Sequence, residues 1–392
     1  MKHDPGEVAG AVYFPNLNAL RFFAAFLVFL GHLEWTRVVA GHPSRISQSA
    51  FIQNSGSLGV NLFFTLSGFL ITYLLLAEYA KQGTINVGRF YCRRILRIWP
   101  LYYLTVLLGF SVLPHFLAIP SLVQVLSGKY YWAKLTLFLA MMPNVAYVSF
   151  PIVPFASQLW TVGVEEQFYA VWPWLVRFFS RSMMPTLVVV VLLVVCARLY
   201  VEHQYTAYPT RGWYIASQLL FYLRIQCMAF GAMGAWLVHQ GRHWILKFIF
   251  LKWVQIIVLC GAFALHVFYT SLFGRFQFDV VAILHAIIIT NAAANSGNIL
   301  HLENSVTNYL GRISYGIYIY QILALRLALI FVTHYLGFSS RFVSPLVYAL
   351  LSAAFTLVLA GASYRFFELP FLRLKPRYST VLSQVQPPGR TV

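Results

Sequence analysis

The sequence predicts an all-α, polytopic transmembrane helical bundle. Of its 392 residues, 60% are hydrophobic and only 10% are charged, which is too few polar residues for the surface of a soluble chain of this length. Apolar runs recur at close to the ~20 residues that a helix needs to cross a hydrocarbon core. A helix also satisfies its own backbone hydrogen bonds in lipid. Composition therefore favours a multi-pass protein of the cell (inner) membrane.

The chain is predicted to cross the membrane about ten times. An eleventh apolar stretch, at 132–142, is short for a crossing. The ten predicted spans are 17–36, 56–79, 95–117, 157–179, 183–200, 215–238, 248–270, 277–296, 309–335 and 345–367.

The placement of lysine and arginine predicts how these helices are oriented. With the N-terminus in the cytoplasm and 132–142 not crossing, cytoplasmic segments hold 17 of these residues and outside segments hold 8, as the positive-inside rule requires. Both termini are then cytoplasmic, with an N-terminal segment at 1–14, a transmembrane domain at 15–370 and a C-terminal tail at 371–392. The outer loop at 118–156 is aromatic and rich in proline, which favours a re-entrant or interfacial lid over a plain connector.

The formal net charge of +18 does not indicate nucleic-acid binding. Most lysines and arginines lie at the ends of apolar runs, where lipid headgroups explain them, and no compact basic domain is present. The four cysteines lie in or beside apolar runs without a C-x-x-C pair, and the histidines lack metal-ligand spacing. We expect no nucleic acid partner, no metal and no bound cofactor.

The segment NALRFFAAFLVFLGHLEW, residues 18–35, carries two polar side chains inside an apolar helix. Arg21 and His32 are separated by about three helical turns, roughly 16 Å, and face the same way. An arginine reaching toward headgroups and a histidine bonded to a neighbouring helix would explain the pair structurally. The functional alternative is a cation near the cytoplasmic end with an imidazole deeper in the membrane, where a charge costs roughly 2.5–3.5 kcal/mol.

The segment YCRRILRIWPLYY, residues 91–103, places three arginines at the cytoplasmic end of the third span. Arg94 and Arg97 share a helix face, and Arg93 lies beside it. Guanidinium groups bind phosphates in a bidentate fashion, and phosphorylated cofactors are cytoplasmic. Membrane anchoring explains one or two such residues, so three favour a phosphate-binding site.

The fourth span, SQLWTVGVEEQFYAVWPWL at 157–175, contains two of the ten acidic residues in the chain, Glu165 and Glu166. Adjacent residues point about 100° apart on a helix, so the two carboxylates face different partners. An intramembrane carboxylate is a functional candidate by default, with a basic partner expected. Either glutamate could hold the tautomer of a histidine base or neutralise an arginine.

Six segments, in this order, resemble acyltransferase family three, the membrane-bound O-acyltransferases that modify sugars. They are LNALRFFAAFLVFLGH (17–32), GSLGVNLFFTLSGFLIT (56–72), RRILRIWPLYY (93–103), LWTVGVEEQFY (159–169), LGRISYGIYIY (310–320) and YRFFELP (364–370). The resemblance implies a ten-helix bundle and an acyl-CoA donor. It also implies a carbohydrate, glycolipid or glycosylated small molecule as acceptor.

The resemblance further implies roles for individual residues. Arg21 and His32 match the family's essential arginine and histidine, which are separated by ten residues on the first helix. Arg94 and Arg97 match its paired arginines, and Glu165 matches its invariant glutamate. Candidate supporting residues are Glu166, Trp160, Tyr169 and Asn144.

Three positions depart from the family pattern. The family often has an acid where Asn18 and Asn61 stand here, and it usually has a histidine where Gln321 stands. Any charge or proton transfer that the family carries out at these positions is therefore not implied for this chain.

Together these residues predict an O-acyltransferase that uses acyl-CoA, with acetyl as the default group. Arg21, His32 and Glu165 are the catalytic candidates, with His32 as general base on the acceptor hydroxyl and Glu165 orienting it. Transfer is either direct or through an acyl-histidine. Arg93, Arg94 and Arg97, together with Arg21, would hold the CoA phosphates.

Two other classes of membrane protein, a transporter and a non-catalytic scaffold, are alternatives to the acyltransferase. A proton-coupled transporter or exporter of a glycan or lipid-linked sugar could use the intramembrane histidine, glutamates and arginines as a relay, but it would favour inverted repeats, and the sequence shows none. A non-catalytic scaffold would have little reason to bury these groups.

Overall fold

A computed structural model describes residues 11–43, 45–113, 128–268, 271–336 and 343–383. Parts of five predicted segments lie outside these residues, namely 1–10 of the N-terminal segment, 114–117 of the span 95–117, 118–127 of the outer loop, 269–270 of the span 248–270 and 384–392 of the C-terminal tail. The chain divides into two compact units. The first unit comprises Met1–Gly83, Phe230–Phe366 and Thr380–Val392, and the second comprises Thr84–Ala229 and Phe367–Ser379.

Nearly all of the described chain is helical. In chain order the α-helices are α1 (Leu17–Val39), α2 (Ala50–Gln82), α3 (Val87–Leu107), α4 (Tyr131–Leu139), α5 (Pro143–Ser149), α6 (Leu159–Phe179), α7 (Met183–Ala207), α8 (Arg211–Leu223), α9 (Ile225–Gln240), α10 (His243–Ile249), α11 (Lys252–Val267), α12 (Gln277–Ala294), α13 (Ser305–Arg312), α14 (Ser314–Phe331), α15 (Val343–Ser363) and α16 (Leu369–Leu372). Two short strands, β1 (Ala11–Val12) and β2 (Leu382–Ser383), pair in parallel within the first unit.

The predicted all-α polytopic bundle is confirmed. Among the described residues, eight helical stretches are long and apolar enough to cross a membrane. This number is smaller than the ten predicted spans for two reasons. One stretch, Leu159–Ala207, is 49 residues long and covers two predicted spans, joined by a 3-10 turn at Ser180–Ser182. The predicted span 248–270 corresponds to α11, which has only 16 residues.

The segment at 132–142 forms a helix too short to span the membrane. The nine residues of α4 extend over about 14 Å, less than half of the ~30 Å hydrocarbon core. The next helix, α5, packs closely on α6, because a Cβ atom at Gly163 would lie 2.6 Å from Cδ of Pro143. The described part of the predicted outer loop, 128–156, therefore belongs to the second unit and packs within it.

The core of the first unit lies where α1, α2, α9 and α12 meet. Leu20, Leu66, Ala235 and Ile289, one from each helix, belong to the same buried cluster. In lipid the helices gain little from apolar burial itself, so close packing of small residues drives their association. Gly59 of α2 provides such a contact, since a Cβ atom there would lie 2.8 Å from a methyl group of Val28.

Gly311 allows α13 to approach α1. A Cβ atom at this position would lie 2.7 Å from Cα of Asn18 and closer still to its carbonyl group. The obstacle is backbone, which cannot rotate away. Two of the family-like segments, those beginning at Leu17 and Leu310, are therefore joined at this contact.

Substitution of Gly311 by alanine is expected to destabilise the first unit by at least about 1–3 kcal/mol, as overpacking does. The check is thermal unfolding of the purified protein in detergent. Gly56→Ala is the matched control, because no atom lies within 4 Å of a Cβ added there. Equal melting temperatures for the two variants would contradict the close contact at Asn18.

Candidate active site

Arg21 is linked to a carboxylate through two amide side chains. Nη1 of Arg21 donates to Oδ1 of Asn18 at 3.2 Å, and Nδ2 of Asn18 donates to Oδ1 of Asn308 at 3.4 Å. Nδ2 of Asn308 in turn donates to Oε1 of Glu303 at 3.1 Å, which also accepts from the hydroxyl of Tyr13. Asn18, where the family often has an acid, thus connects Arg21 to a more distant acid. Sequence reasoning missed Glu303, which lies in a polar segment with no motif of its own.

His32 lies beside Gln321 of α14. The two side chains are within hydrogen-bonding reach of each other. Gln321 is fully buried, and its Nε2 donates to the carbonyl oxygen of Tyr318 at 3.0 Å. Among the described residues, neither Nδ1 of His32 nor Oε1 of Gln321, both buried, makes a well-formed hydrogen bond. After its bond to Tyr318, the Gln321 side chain retains one N–H of the amide nitrogen and the lone pairs of Oε1 for the imidazole.

Asn61, the other position where the family often has an acid, joins α2 to α12. Its Nδ2 donates to the carbonyl oxygen of Phe278 at 2.8 Å, and its Oδ1 lies 3.0 Å from Nδ1 of His285. An amide oxygen only accepts, so this contact assigns the proton to Nδ1 of His285. All three residues belong to the first unit, where this bond has a structural role.

The three arginines of α3 lie in the second unit in different environments. Arg93 is buried, and its Nη1 donates to the carbonyl oxygen of Tyr378 at 2.7 Å. The guanidinium of Arg94 stands over the rings of Phe90 and Tyr169, at 5.6 and 5.9 Å from their centroids. Arg93 and Arg97 are both close enough to repel the Arg94 charge. A bound anion would relieve this repulsion.

The two glutamates of α6 have different partners, as their spacing predicts. Nε1 of Trp99 donates to Oε2 of Glu166 at 2.9 Å, and the hydroxyl of Tyr169 donates to Oε2 of Glu165 at 3.3 Å. Glu166 also attracts the Arg94 guanidinium. The second unit therefore brings together four predicted site residues, Arg94, Glu165, Glu166 and Tyr169. The predicted role of Glu165 beside His32 stays a prediction.

The supporting residues Asn144 and Trp160 belong to polar and aromatic contacts of the second unit. Asn144 and Gln167 exchange two side-chain hydrogen bonds, of 3.1 and 2.8 Å. Trp160 packs its ring against Tyr147 and Tyr222, with centroids 6.0 and 4.9 Å away. Sequence analysis did not select Gln167, Tyr147 or Tyr222, although the aromatic, proline-containing stretch before α6 was a signal.

Each unit offers distinct chemistry. The first contains an imidazole whose buried nitrogen lies next to an amide, as a general base requires. The second contains clustered cations next to aromatic rings and carboxylates, which suits a phosphate-bearing ligand. Within the described ranges, no three His, Cys, Asp or Glu side chains come together in the way that a metal site needs.

Comparison with known proteins gives the family. The profile of the family described as an acyltransferase domain matches residues 14–365. The chain belongs to this acyltransferase family. The match covers every segment on which the resemblance depends except the last residues of YRFFELP.

Individual relatives of the family are longer than this chain. It is 26% identical over 384 residues to the peptidoglycan O-acetyltransferase OatA of Listeria monocytogenes, covering 91% of this chain and 56% of that protein. It is 27% identical over 392 residues to YrhL of Bacillus subtilis, covering 91% and 55%. With the O-acetyltransferase OatA of Staphylococcus aureus it shares 30% identity over 190 residues, 47% of this chain and 28% of that protein. The chain thus spans about half the length of these relatives. No solved structure gives a significant match.

Proposed function

We propose that this protein is an O-acyltransferase that moves an acyl group, acetyl by default, from cytoplasmic acyl-CoA to a hydroxyl of a cell-wall sugar. The observation that carries the donor assignment is the cluster of Arg93, Arg94 and Arg97 on one helix, where the neighbouring arginines repel the Arg94 charge. The sugar acceptor is supported by the relative from Listeria monocytogenes, which is named a peptidoglycan O-acetyltransferase. The cytoplasmic side of the donor follows from the positive-inside asymmetry of the sequence.

Arg94 is the main phosphate ligand in this proposal. Its guanidinium lies against the Phe90 and Tyr169 rings, which contact each other edge to face, and cation–π attraction to both rings favours this position of the charge before a phosphate binds. Arg93 already donates one bond to the backbone at Tyr378, so it contributes charge and its remaining donors. Arg97 adds a third positive charge on the same helix.

His32 is the general base. A ring nitrogen takes the proton of the acceptor hydroxyl while the hydroxyl oxygen attacks the thioester carbonyl. The new C–O bond forms and the C–S bond breaks. The CoA thiolate leaves and receives the proton from the imidazolium. In this proposal Nδ1 of His32 carries the proton and faces Gln321, which leaves on Nε2 the lone pair that the reaction needs.

Gln321 acts as a positioning residue for His32. Gln321→Leu keeps the volume but removes the acceptor for the imidazole N–H. Turnover is therefore expected to fall by about tenfold, the factor that corresponds to the loss of one hydrogen bond. The KM for acyl-CoA is expected to stay unchanged. Gln321→His, the residue that the family usually has here, is expected to restore most of the turnover. Activity is measured as acyl-CoA-dependent transfer by the purified variants.

A purely structural role for Gln321 gives a different pattern. Gln321→Leu would then lower the melting temperature and the yield while active molecules kept the normal turnover. The tautomer of His32, read from its 15N chemical shifts, would also be the same in both proteins. Either result would remove Gln321 from the mechanism.

The decisive test of the proposed function is CoA release. Purified protein is incubated with acetyl-CoA labelled in the acetyl group and with a peptidoglycan fragment, and both free CoA and labelled glycan are measured. Stoichiometric appearance of the two is expected. If the labelled acetyl-CoA stays intact and the protein instead moves glycan across a proteoliposome membrane, the transporter alternative is established.

A further inference from the structure

The long helical stretch Arg211–Gln240 is interrupted at Arg224. The residue adopts a left-handed conformation, with φ 39° and ψ 33°, between α8 and α9. Such angles are unfavourable for a residue with a Cβ atom and persist where the surrounding structure imposes them, which is frequently at functional sites. The sequence FYLRIQC has no glycine or proline to mark the interruption.

The Arg224 side chain is buried at this break. It is 2% exposed, its Nε donates to the carbonyl oxygen of Phe221 at 3.4 Å, and its guanidinium lies 5.2 Å from the centroid of the Phe221 ring. A buried arginine within a membrane-spanning stretch is costly and indicates a functional site. Discontinuous transmembrane helices with irregular backbone form substrate sites in other membrane proteins.

Three aromatic rings from three different helices meet beside the break. The centroid of Tyr222 lies 4.9 Å from that of Trp160 and 5.3 Å from that of Tyr147. All three side chains are half-buried, so each keeps some accessible ring surface. Burial, together with Tyr222, raises the pKa of Tyr147 to about 12, so its hydroxyl stays neutral and can donate a hydrogen bond.

Amide groups add polar chemistry to the same part of the second unit. Asn144, on the helix that carries Tyr147, forms a paired amide contact with Gln167. Gln226, two residues after Arg224, is 2% exposed, and its Oε1 has no hydrogen-bond partner in the part of the chain that the structure describes. Aromatic surfaces with a few polar groups are the usual lining of a small-molecule site.

We infer that Tyr147, Trp160 and Tyr222, with Arg224 beside them, form the binding site for a sugar ring of the acceptor. The apolar face of a pyranose stacks on the aromatic surface, and its hydroxyl or acylamino groups bond to the phenols, amides and guanidinium. This inference rests on the proposed function, which supplies the sugar acceptor.

The inferred sugar site is distinct from the arginine cluster of α3. Trp160 and Tyr169 are nine residues apart on α6, about 14 Å along its axis, and Tyr169 is the ring that contacts Arg94. Changes at the aromatic rings are therefore expected to alter the KM for the acceptor and to leave the KM for acyl-CoA unchanged.

The test is direct binding of a sugar without any donor. The full-length protein in lipid nanodiscs is titrated with an N-acetylglucosamine tetrasaccharide by calorimetry, and contacts are read by saturation-transfer NMR. Tyr222→Leu is expected to weaken binding at least tenfold, and Tyr222→Phe to weaken it less. Tyr214→Leu is the matched control, because Tyr214 lies on the same helix and is 45% exposed.

The outcomes separate this inference from the proposed function. Equal affinity of the wild-type protein and Tyr222→Leu, or no binding by the wild-type protein, would overturn the sugar site. Sugar binding that depends on Tyr222, without CoA release in the transfer assay, would overturn the proposed function and leave the site in place. If Tyr222→Leu fails to fold, Trp160→Leu provides the same comparison on α6.

Discussion

Replacement of His32 by alanine is expected to lower acyl transfer by about 100- to 10,000-fold, the contribution of a general base, in a protein that still folds. His32 is half-buried and lies beside Gln321, so the change removes the base without disturbing the main apolar clusters. The measurement is the rate of CoA release by the purified variant at saturating acetyl-CoA and acceptor.

A second substitution separates proton transfer from packing at this position. His32→Gln retains a polar side chain near Gln321 but has no nitrogen that accepts a proton near neutral pH. It should therefore be as inactive as His32→Ala, with the melting temperature of the unchanged protein. Activity within a few fold of normal in either variant would rule out His32 as the base.

Replacement of Arg94 by alanine is expected to raise the KM for acyl-CoA by about 10- to 100-fold with little change in kcat. One hydrogen bond to a charged group contributes about 1.5–3 kcal/mol, and a phosphate contact that is equal in the ground and transition states affects KM alone. Arg94→Lys should recover part of the loss, because an ammonium group keeps the charge but not the bidentate geometry. Initial rates across a range of acyl-CoA concentrations give both constants.

The control for Arg94 removes the same charge from the same helix. Arg89 is exposed and lies five residues before Arg94 on α3, so Arg89→Ala should leave the KM for acyl-CoA within about twofold. If both variants raise KM equally, the general positive charge of this surface explains donor affinity. A fall in kcat alone for Arg94→Ala would show that Arg94 acts on the chemical step rather than on phosphate binding.

Much of the fold could be predicted because a transmembrane helix is specified locally. Each of the ten predicted spans overlaps a helix in the described residues, although 215–238 is divided between α8 and α9. The segment at 132–142 was predicted to be too short to cross, and its helix has nine residues. The same periodicity placed Arg94 near Arg97 and gave Glu165 and Glu166 different partners. Helix ends were less accurate, since α2 begins six residues before its predicted start at 56.

The interruption at Arg224 could not be predicted in this way. The segment around it reads as an unbroken apolar helix, and a left-handed residue there depends on the packing around a buried guanidinium. The same holds for Tyr147 and Tyr222, which meet across 75 positions of sequence. Neither residue carries a motif, so their significance comes from their contact with Trp160 and with each other.

Composition and helical periodicity were enough to establish a multi-pass membrane helical bundle, and the order of its motifs was enough to indicate an acyltransferase. Both are properties of short stretches of chain, where the 3.6-residue turn and the thickness of the membrane constrain each helix separately. The partners of the polar side chains were decided by tertiary packing. Gln321 lies beside His32, and Glu303 is linked to Arg21 through Asn18 and Asn308, because segments distant in sequence pack together in the first unit. A buried polar side chain forms its hydrogen bonds with whichever groups tertiary packing places next to it. The helical periodicity of its own segment does not specify those groups.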